Sequence, residues 1–346
     1  MICSIFADDM ELKNLTNNFA KVVLPLTLGG AILYWMYRGF DFKSVRNVLF
    51  NEMDWTWMLL SFPFGILAQI IRGWRWRLTL NPVGEYPRLS VSINSIFLSY
   101  ASSLVVPRIG EFTRCGILKR YDDVSFPKSL GTVVTERAID SLLVMVVAGI
   151  TLLLQFRVFG IFFDETGTSI DSLFSRFSPA GYAVTALCGA VALGFFAFLL
   201  KRLSIYNKVK TTLSGIWQGV MSLRRMDNVP LFVLMTIGIW ACYFLHYYLA
   251  FFCFGFTENL GMACGMVTFV VGSIAVLVPT PNGAGPWHFA VKTMLILYGV
   301  ADEKALYFVL IVHSVQTMLV VLLGIWAWVG LMFTGRRVAA RDMTVS

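Results

Sequence analysis

Arginines and a glutamate surround a Pro/Gly break in the first half of the chain. The segment reads PRIGEFTR, and Pro107 and Gly110 predict a break followed by a helix that begins near Glu111. A helix N-terminus presents free N–H groups and a positive dipole end, which suits a phosphate. Arg108 and Arg114 could each hold a phosphodiester through bidentate hydrogen bonds. The alternative is an internal Glu111–Arg114 ion pair that only stabilises the short helix.

Two further acids lie early in a long apolar run, in the segment TVVTERAID. Thr132, Glu136 and Asp140 are spaced i, i+4 and i+8, which places them on one face of a helix. Charged groups inside a membrane span are costly unless they face a protein interior or a wet cavity. These acids and Arg137 could bind the amine of a headgroup or pair with Arg108 or Arg114. A buried ion-pair network that only fixes packing is the alternative.

A second break reads VPTPNGAGPWHF. Its glycines allow close backbone approach, and Asn282 tolerates a turn. His288 and Lys292, at i and i+4 after the break, could bind an anion or relay protons, although a packing role is the alternative for His288. His246 and His313 lie in apolar runs without an evident partner. The residues predicted to act as structural hinges at the two breaks are Pro107, Gly110, Pro279, Pro281, Gly283, Gly285 and Pro286.

A fourth motif, RGWRWRL, begins at Arg72. Alternating Trp and Arg at the end of a span is typical of anchoring at the membrane interface. Lipid gathering by Arg75 or Arg77 is the alternative.

The composition defines the class of protein that must hold these residues. Apolar residues make up 57% of the 346 residues and charged residues 14%, and the mean hydropathy is +0.72. Long apolar runs of this kind predict an all-α polytopic membrane protein. The basic residues cluster between the runs, which indicates orientation and anionic lipids rather than nucleic acid. No P-loop, HExxH, GxSxG or CxxC pattern occurs, so we predict no catalytic residue, metal or cofactor.

The apolar runs predict about six full spans, at 19–37, 55–72, 129–155, 181–200, 230–255 and 305–333. The broken segments, 90–120 and 261–299, contain half-length helices. Basic residues flank the first of them on both sides, so the positive-inside rule favours two re-entrant hairpins, with both termini cytoplasmic. The first hairpin would then enter the membrane from the cytoplasm and the second from outside. Entry from opposite sides indicates an inverted repeat. We therefore predict a cytoplasmic segment 1–18, one transmembrane domain 19–335 with a surface helix at 203–229, and a basic cytoplasmic tail 336–346.

The motifs RGWRWRL, VPRIGEFTR…LKRY, GTVVTERAIDSL and VPTPNGAG occur in this order. Together they resemble the flippase-like family named after the transmembrane region of lysylphosphatidylglycerol synthase. The resemblance implies broken helices and the translocation of lipids between leaflets. The chain has no synthase domain, so we do not expect it to aminoacylate a lipid. Many relatives carry an acid where this chain has His288, so the role of that acid in the relatives is not assigned to His288.

These patterns together predict a lipid translocase of the bacterial cytoplasmic membrane, not an enzyme. Its partners would be membrane lipids with anionic or zwitterionic headgroups, together with a separate lipid-modifying enzyme. The rival functions are a membrane-embedded headgroup transferase or hydrolase, and a non-transporting partner of such an enzyme. The predicted substrate-binding residues are Arg108, Glu111, Arg114, Glu136, Arg137, Asp140, Asn282, His288 and Lys292.

Overall fold

The computed structural model describes residues 27, 29–38, 42–155, 226, 228–278 and 280–335. Several predicted regions therefore lie outside the described residues: the segment 1–18, the span 181–200, nearly all of the surface helix 203–229, the hinge Pro279 and the tail 336–346. Within the described residues the regular structure is entirely helical.

The helices follow the apolar runs of the sequence. In chain order they are α1 (29–37), α2 (Phe42–Asn47), α3 (Trp55–Leu80), α4 (Leu89–Val105), α5 (Gly110–Asp122), α6 (Phe126–Leu154), α7 (Val229–Tyr248), α8 (Gly261–Ala275), α9 (Pro286–Leu297) and α10 (Asp302–Met332). A π-helical turn, Val48–Glu52, follows α2, and 3₁₀ turns occupy Asn81–Val83, Leu249–Cys253 and Pro281–Gly283.

Three described helices are long and apolar enough to cross a membrane: α6, α7 extended to Cys253, and α10. A fourth candidate is α3 together with Ser44–Glu52, across a bend of 85°. Side-chain caps begin two of these helices. Asp54 accepts a hydrogen bond from the Thr56 amide at 2.8 Å before α3, and Asn228 accepts one from the Leu231 amide at 3.1 Å before α7. Such caps satisfy backbone donors that the first turn of a helix leaves free.

The first broken segment forms an antiparallel helical hairpin. Helix α4 ends at Val105, Arg108 adopts a left-handed backbone conformation with φ of 62°, and α5 begins at Gly110, as predicted. At the other end, the backbone N–H and Nε of Arg88 donate to the Asp122 carboxylate at 2.7 and 2.6 Å. The start of α4 and the end of α5 therefore lie side by side.

The second broken segment folds back in the same way. Helices α8 and α9 meet through a turn in which Asn282 and Gly283 have φ of 52° and 71°, a conformation that Gly and Asn tolerate best. Near this turn Gly272 lies against the Trp287 ring. Farther from it, Cys264 and Leu295 share one buried cluster. The two breaks are also in contact, because Arg108 Nη2 donates to the Leu277 carbonyl at 2.7 Å.

Two apolar clusters hold the hairpins in place. The larger surrounds Phe251, Phe254 and Phe308 and includes residues of α7 to α10. The smaller joins α3, α4 and α5 around Trp76, Ile96 and other buried side chains. Each hairpin is therefore packed into its own apolar cluster.

Gly110 allows α4 and α5 to approach closely, and this gives a test of the hairpin. A Cβ at this position would lie 2.2 Å from the Ser99 carbonyl oxygen. We expect Gly110→Ala to lower the free energy of unfolding by about 1–3 kcal/mol, since overpacking forces backbone shifts. The measurement is the midpoint of thermal unfolding in detergent.

Gly116→Ala is the matched control, because it lies in the same helix and a Cβ there meets no heavy atom within 4 Å. We expect its midpoint to be unchanged or slightly raised, since Ala favours helix more than Gly does. Equal effects of the two substitutions would contradict the close α4–α5 contact.

Candidate functional site

Charged side chains from α3, α5 and α6 form one buried network. Asp140 accepts hydrogen bonds from Arg72 and from Arg75, the latter with Nη1 at 2.8 Å from Oδ1. Glu136 accepts from Arg114 Nη1 at 3.0 Å and lies 3.5 Å from Arg75 Nε. The side chains of Arg75 and Glu136 are fully buried. Glu136 and Asp140 lie four residues apart on α6, so both carboxylates point to the same side.

The network continues toward the surface through Glu111 and Arg137. Glu111 lies 2.6 Å from Arg114 Nη2 and 3.5 Å from Arg137 Nε. Arg137 Nη2 lies 3.1 Å from Asp140 Oδ2. The Arg137 side chain is 41% exposed, whereas Arg114 is 1% exposed. The predicted ion pair of Glu111 with Arg114 and the predicted pairing of the α6 acids with Arg114 are therefore both present.

The interfacial interpretation of RGWRWRL is wrong for three of its residues. Arg72, Arg75 and Trp76 are buried in the protein, and the Trp76 indole donates to Thr132 Oγ1 at 3.0 Å. The two arginines belong to the site because the α6 carboxylates require cationic partners. Because Arg72 and Arg75 are buried, they are not loop charges, and the positive-inside rule does not apply to them.

A sequence signal for this buried face of α3 does exist. Small and polar residues recur at helical spacing through Gly65, Ala68, Gln69, Arg72 and Thr79, all of which are buried. This i, i+3, i+4, i+7 pattern marks a helix stripe that contacts other helices.

A cavity of about 410 Å³ adjoins the network and extends to the second break. Two guanidinium groups, those of Arg72 and Arg137, lie along its wall. It is lined by Gly65, Gln69, Arg72, Tyr100, Arg137, Trp240, Tyr243, His246, Tyr247, Phe269, Gly272, Ser273, Val276, Asn282, Trp287, His313, Gln316, Thr317, Leu319, Val320 and Leu323. These residues come from α3, α4, α6, α7, α8, α9, α10 and the second turn, and the first hairpin contributes only Tyr100.

Uncharged polar groups form another part of the cavity lining. Asn282 Nδ2 donates to Thr317 Oγ1 at 2.7 Å, and the Asn282 carbonyl lies 3.2 Å from His313 Nε2. His246 Nδ1 lies 2.9 Å from the Ser61 carbonyl. Both histidines, for which the sequence suggested no partner, are therefore held by neighbouring helices.

Of the nine predicted binding residues, Arg137 and Asn282 line the cavity and four others belong only to the charged network, whereas three lie outside both. Arg108 is exposed and bonds to the Leu277 carbonyl. His288 is buried, with Nδ1 accepting from the Gly285 amide at 3.4 Å at the start of α9. Lys292 lies 2.8 Å from the Asp302 carboxylate at the start of α10.

The predicted hinge residues occupy the two breaks. Pro107 lies between α4 and α5, and Gly110 is the first residue of α5. Pro281, Gly283 and Gly285 lie between α8 and α9, and Pro286 is the first residue of α9. Among the described residues, no group of three or more His, Cys, Asp or Glu could hold a metal ion.

The fold and the site define a multi-pass helical membrane protein with buried charges beside a central cavity. Residues 22–324 match the family described as the lysylphosphatidylglycerol synthase TM region, and the chain belongs to this family. The chain is also similar to "Glycosyltransferase AglD" of Haloferax volcanii, with 23% identity over 339 residues. That match covers 89% of this chain and 54% of the relative, so the chain spans about half the length of the curated relative. No solved structure matches the chain.

Loss of one carboxylate tests the network. Glu136→Gln leaves Arg75 and Arg114 each with one fewer counter-charge in the interior, and we expect a loss of about 3 kcal/mol of unfolding free energy. Thermal unfolding in detergent measures it. Asp302→Asn breaks a pair whose acid is 65% exposed, and should cost about 0–1 kcal/mol. A small loss in both variants would contradict a tightly coupled interior network.

Proposed function

We propose that the chain is a lipid translocase that moves a phosphate-bearing amphiphile between leaflets of a bacterial cytoplasmic membrane, without covalent chemistry. Membership in the family and the candidate spans support a role in the membrane. The family description alone does not select transport over other lipid-related roles. The proposal therefore depends on the charge and position of the cavity.

The proposed topology has six full spans, cytoplasmic termini and two re-entrant hairpins, α4–α5 and α8–α9, related as an inverted repeat. The Arg88–Asp122 contact supports re-entry of the first hairpin, since it holds the two outer ends of α4 and α5 together. Contact between the two breaks through Arg108 and Leu277 supports their meeting inside the membrane. Irregular backbone at that depth requires protein or a wet cavity around it.

An excess of positive charge beside the cavity is the observation that carries the proposal. Among the described residues of the network, four guanidiniums (Arg72, Arg75, Arg114, Arg137) face three carboxylates (Glu111, Glu136, Asp140). An unbalanced charge in an apolar interior is costly unless a counter-charge is supplied. A phosphodiester carries one negative charge and accepts bidentate hydrogen bonds from Arg. The site therefore suits a single phosphodiester.

Arg137 and Arg72 are the residues best placed to hold that phosphate, because both line the cavity. The Arg137 side chain is the more exposed of the two. Arg72 also donates to the Tyr100 hydroxyl and to the Tyr243 hydroxyl, which fixes its position. Arg114 is enclosed by Glu111 and Glu136, so we assign it and the three acids to positioning the other guanidiniums.

In the proposed cycle the headgroup occupies the cavity and the tails stay in lipid. Rocking of the two hairpins about their breaks would open the cavity to one leaflet and then to the other. The Haloferax volcanii relative is named as a glycosyltransferase, which favours one alternative: a non-transporting membrane protein that works with a lipid-modifying enzyme.

Transport is tested with purified protein in vesicles that contain acyl-labelled phosphatidylglycerol. We expect Arg137→Gln to slow leaflet exchange roughly tenfold or more, because it removes the excess cation from the cavity. The fold should persist, since the remaining charges then balance. Arg120→Gln, which removes an exposed arginine of α5 outside the cavity, should leave exchange unchanged.

Two results would overturn the proposal. Covalent turnover of the lipid without exchange would identify a transferase or hydrolase. Absence of both exchange and turnover would favour a non-transporting partner of a separate enzyme.

Arg108→Gly separates a bridging role of Arg108 from phosphate binding. Gly accepts the positive φ at this position, so the backbone turn is retained while the side-chain bond to Leu277 is lost. We expect the affinity for phosphatidylglycerol to stay within about twofold of the wild type, because Arg108 lies outside the cavity. An affinity loss as large as that of Arg137→Gln would place the phosphate at the first break instead. Equilibrium binding in detergent measures both variants.

A further inference from the structure

Apart from its two arginines, the polar lining of the cavity is uncharged. Amide, hydroxyl and imidazole side chains line it: Gln69, His246, Asn282, His313, Gln316 and Thr317. No Asp or Glu occurs among the described residues that line the cavity. A headgroup attached to a phosphate at Arg137 would therefore meet neutral hydrogen-bonding groups.

Five buried polar atoms of residues that line the cavity have no hydrogen-bond partner. They are Gln69 Oε1, an acceptor; Trp240 Nε1, a donor; the Tyr247 hydroxyl; and the Nε atoms of Arg72 and Arg137. Gln69 is 5% exposed. Buried polar groups are rarely left unpaired, because each unpaired group costs free energy. A hydroxyl group can donate to the first atom and accept from the second.

The carboxylates near the cavity are not available for an ammonium headgroup. Glu111, Glu136 and Asp140 are each paired with at least two guanidiniums. Aromatic faces such as Trp240 and Trp287 can also attract a quaternary ammonium. Here the phosphate balances the one excess positive charge of the network, so an ammonium beside it would lie near two guanidiniums and find no free carboxylate.

The aromatic lining instead suits the apolar C–H face of a ring that carries hydroxyls at its edge. Trp240, Trp287 and Tyr247 line the cavity together with the amides of Gln69 and Asn282. Flat aromatic surfaces with a few convergent polar groups are typical of sites that orient a small ligand.

We infer that the cavity takes an uncharged polyhydroxyl ring, a sugar or a cyclitol, linked through the phosphate to the lipid. This inference rests on the proposed phosphate site at Arg137 and Arg72. It names the substrate class of that site: a glycosyl or cyclitol phospholipid rather than an aminoacylated or choline lipid.

The test compares three lipids with identical acyl chains: phosphatidylinositol, phosphatidic acid and phosphatidylcholine. Binding to the detergent-solubilised full chain is measured by native mass spectrometry. We expect phosphatidylinositol to bind about tenfold more tightly than the other two, since its hydroxyls pair with groups that they leave unpaired.

Gln69→Met should remove most of the preference for phosphatidylinositol while leaving phosphatidic acid binding unchanged. Gln155→Met is the matched control, because Gln155 lies at the end of α6, outside the cavity, and it should retain the preference. Trp240→Phe keeps an aromatic face and removes the indole N–H, so it provides a second test if Gln69→Met fails to fold. Arg137→Gln should weaken binding of all three lipids.

Each remaining outcome separates this inference from the proposed function. Equal binding of phosphatidylinositol and phosphatidic acid, both weakened by Arg137→Gln, would overturn the polyhydroxyl inference and keep the phosphate site. Tightest binding of phosphatidylcholine would also overturn it. Binding that is unaffected by Arg137→Gln would overturn the phosphate site itself, and with it the inference.

Discussion

Charge compensation inside an apolar interior is the constraint on which the rest of the structure depends. Glu136 and Asp140 lie on a helix long and apolar enough to span a membrane, where an unpaired carboxylate would be prohibitively costly. Besides Arg137 of the same helix, their partners are guanidiniums from two other helices, Arg72 and Arg75 of α3 and Arg114 of α5. The positions of α3, α5 and α6 relative to one another are thereby fixed.

The broken hairpins follow from the same requirement. Helix α5 can bring Arg114 to Glu136 only if the chain reverses after α4, and Gly110 permits that reversal at close distance to Ser99. The second hairpin has no comparable charge cluster among its described residues, and its turn is held by the amide of Asn282 instead. The cavity is therefore lined by two arginines and by neutral polar groups. In the proposed function the arginines hold a phosphate and the neutral groups contact the group attached to it.

Features that depend on local spacing were predictable from the sequence. Thr132, Glu136 and Asp140 share one face of α6, as their i, i+4 spacing indicated, and that face is buried. The start of α5 and the positions of both breaks also agree with prediction, since Pro and Gly limit the backbone within a few residues. The interfacial prediction for RGWRWRL was wrong because the motif alone does not distinguish a membrane interface from a buried helix face. Only the carboxylates of α6 decide that Arg72 and Arg75 are internal.

The sequence by itself determined a helical membrane protein with two interrupted segments and with ionisable residues at defined helical positions. These properties arise from hydropathy and backbone stereochemistry, which act over short stretches of chain. Only the tertiary structure decided which charges pair, that Arg114 is enclosed while Arg137 remains open, and that Gln69 and Trp240 share a cavity with the second break. The physical reason is that pairing energies depend on contacts between helices far apart in sequence, which local spacing does not encode.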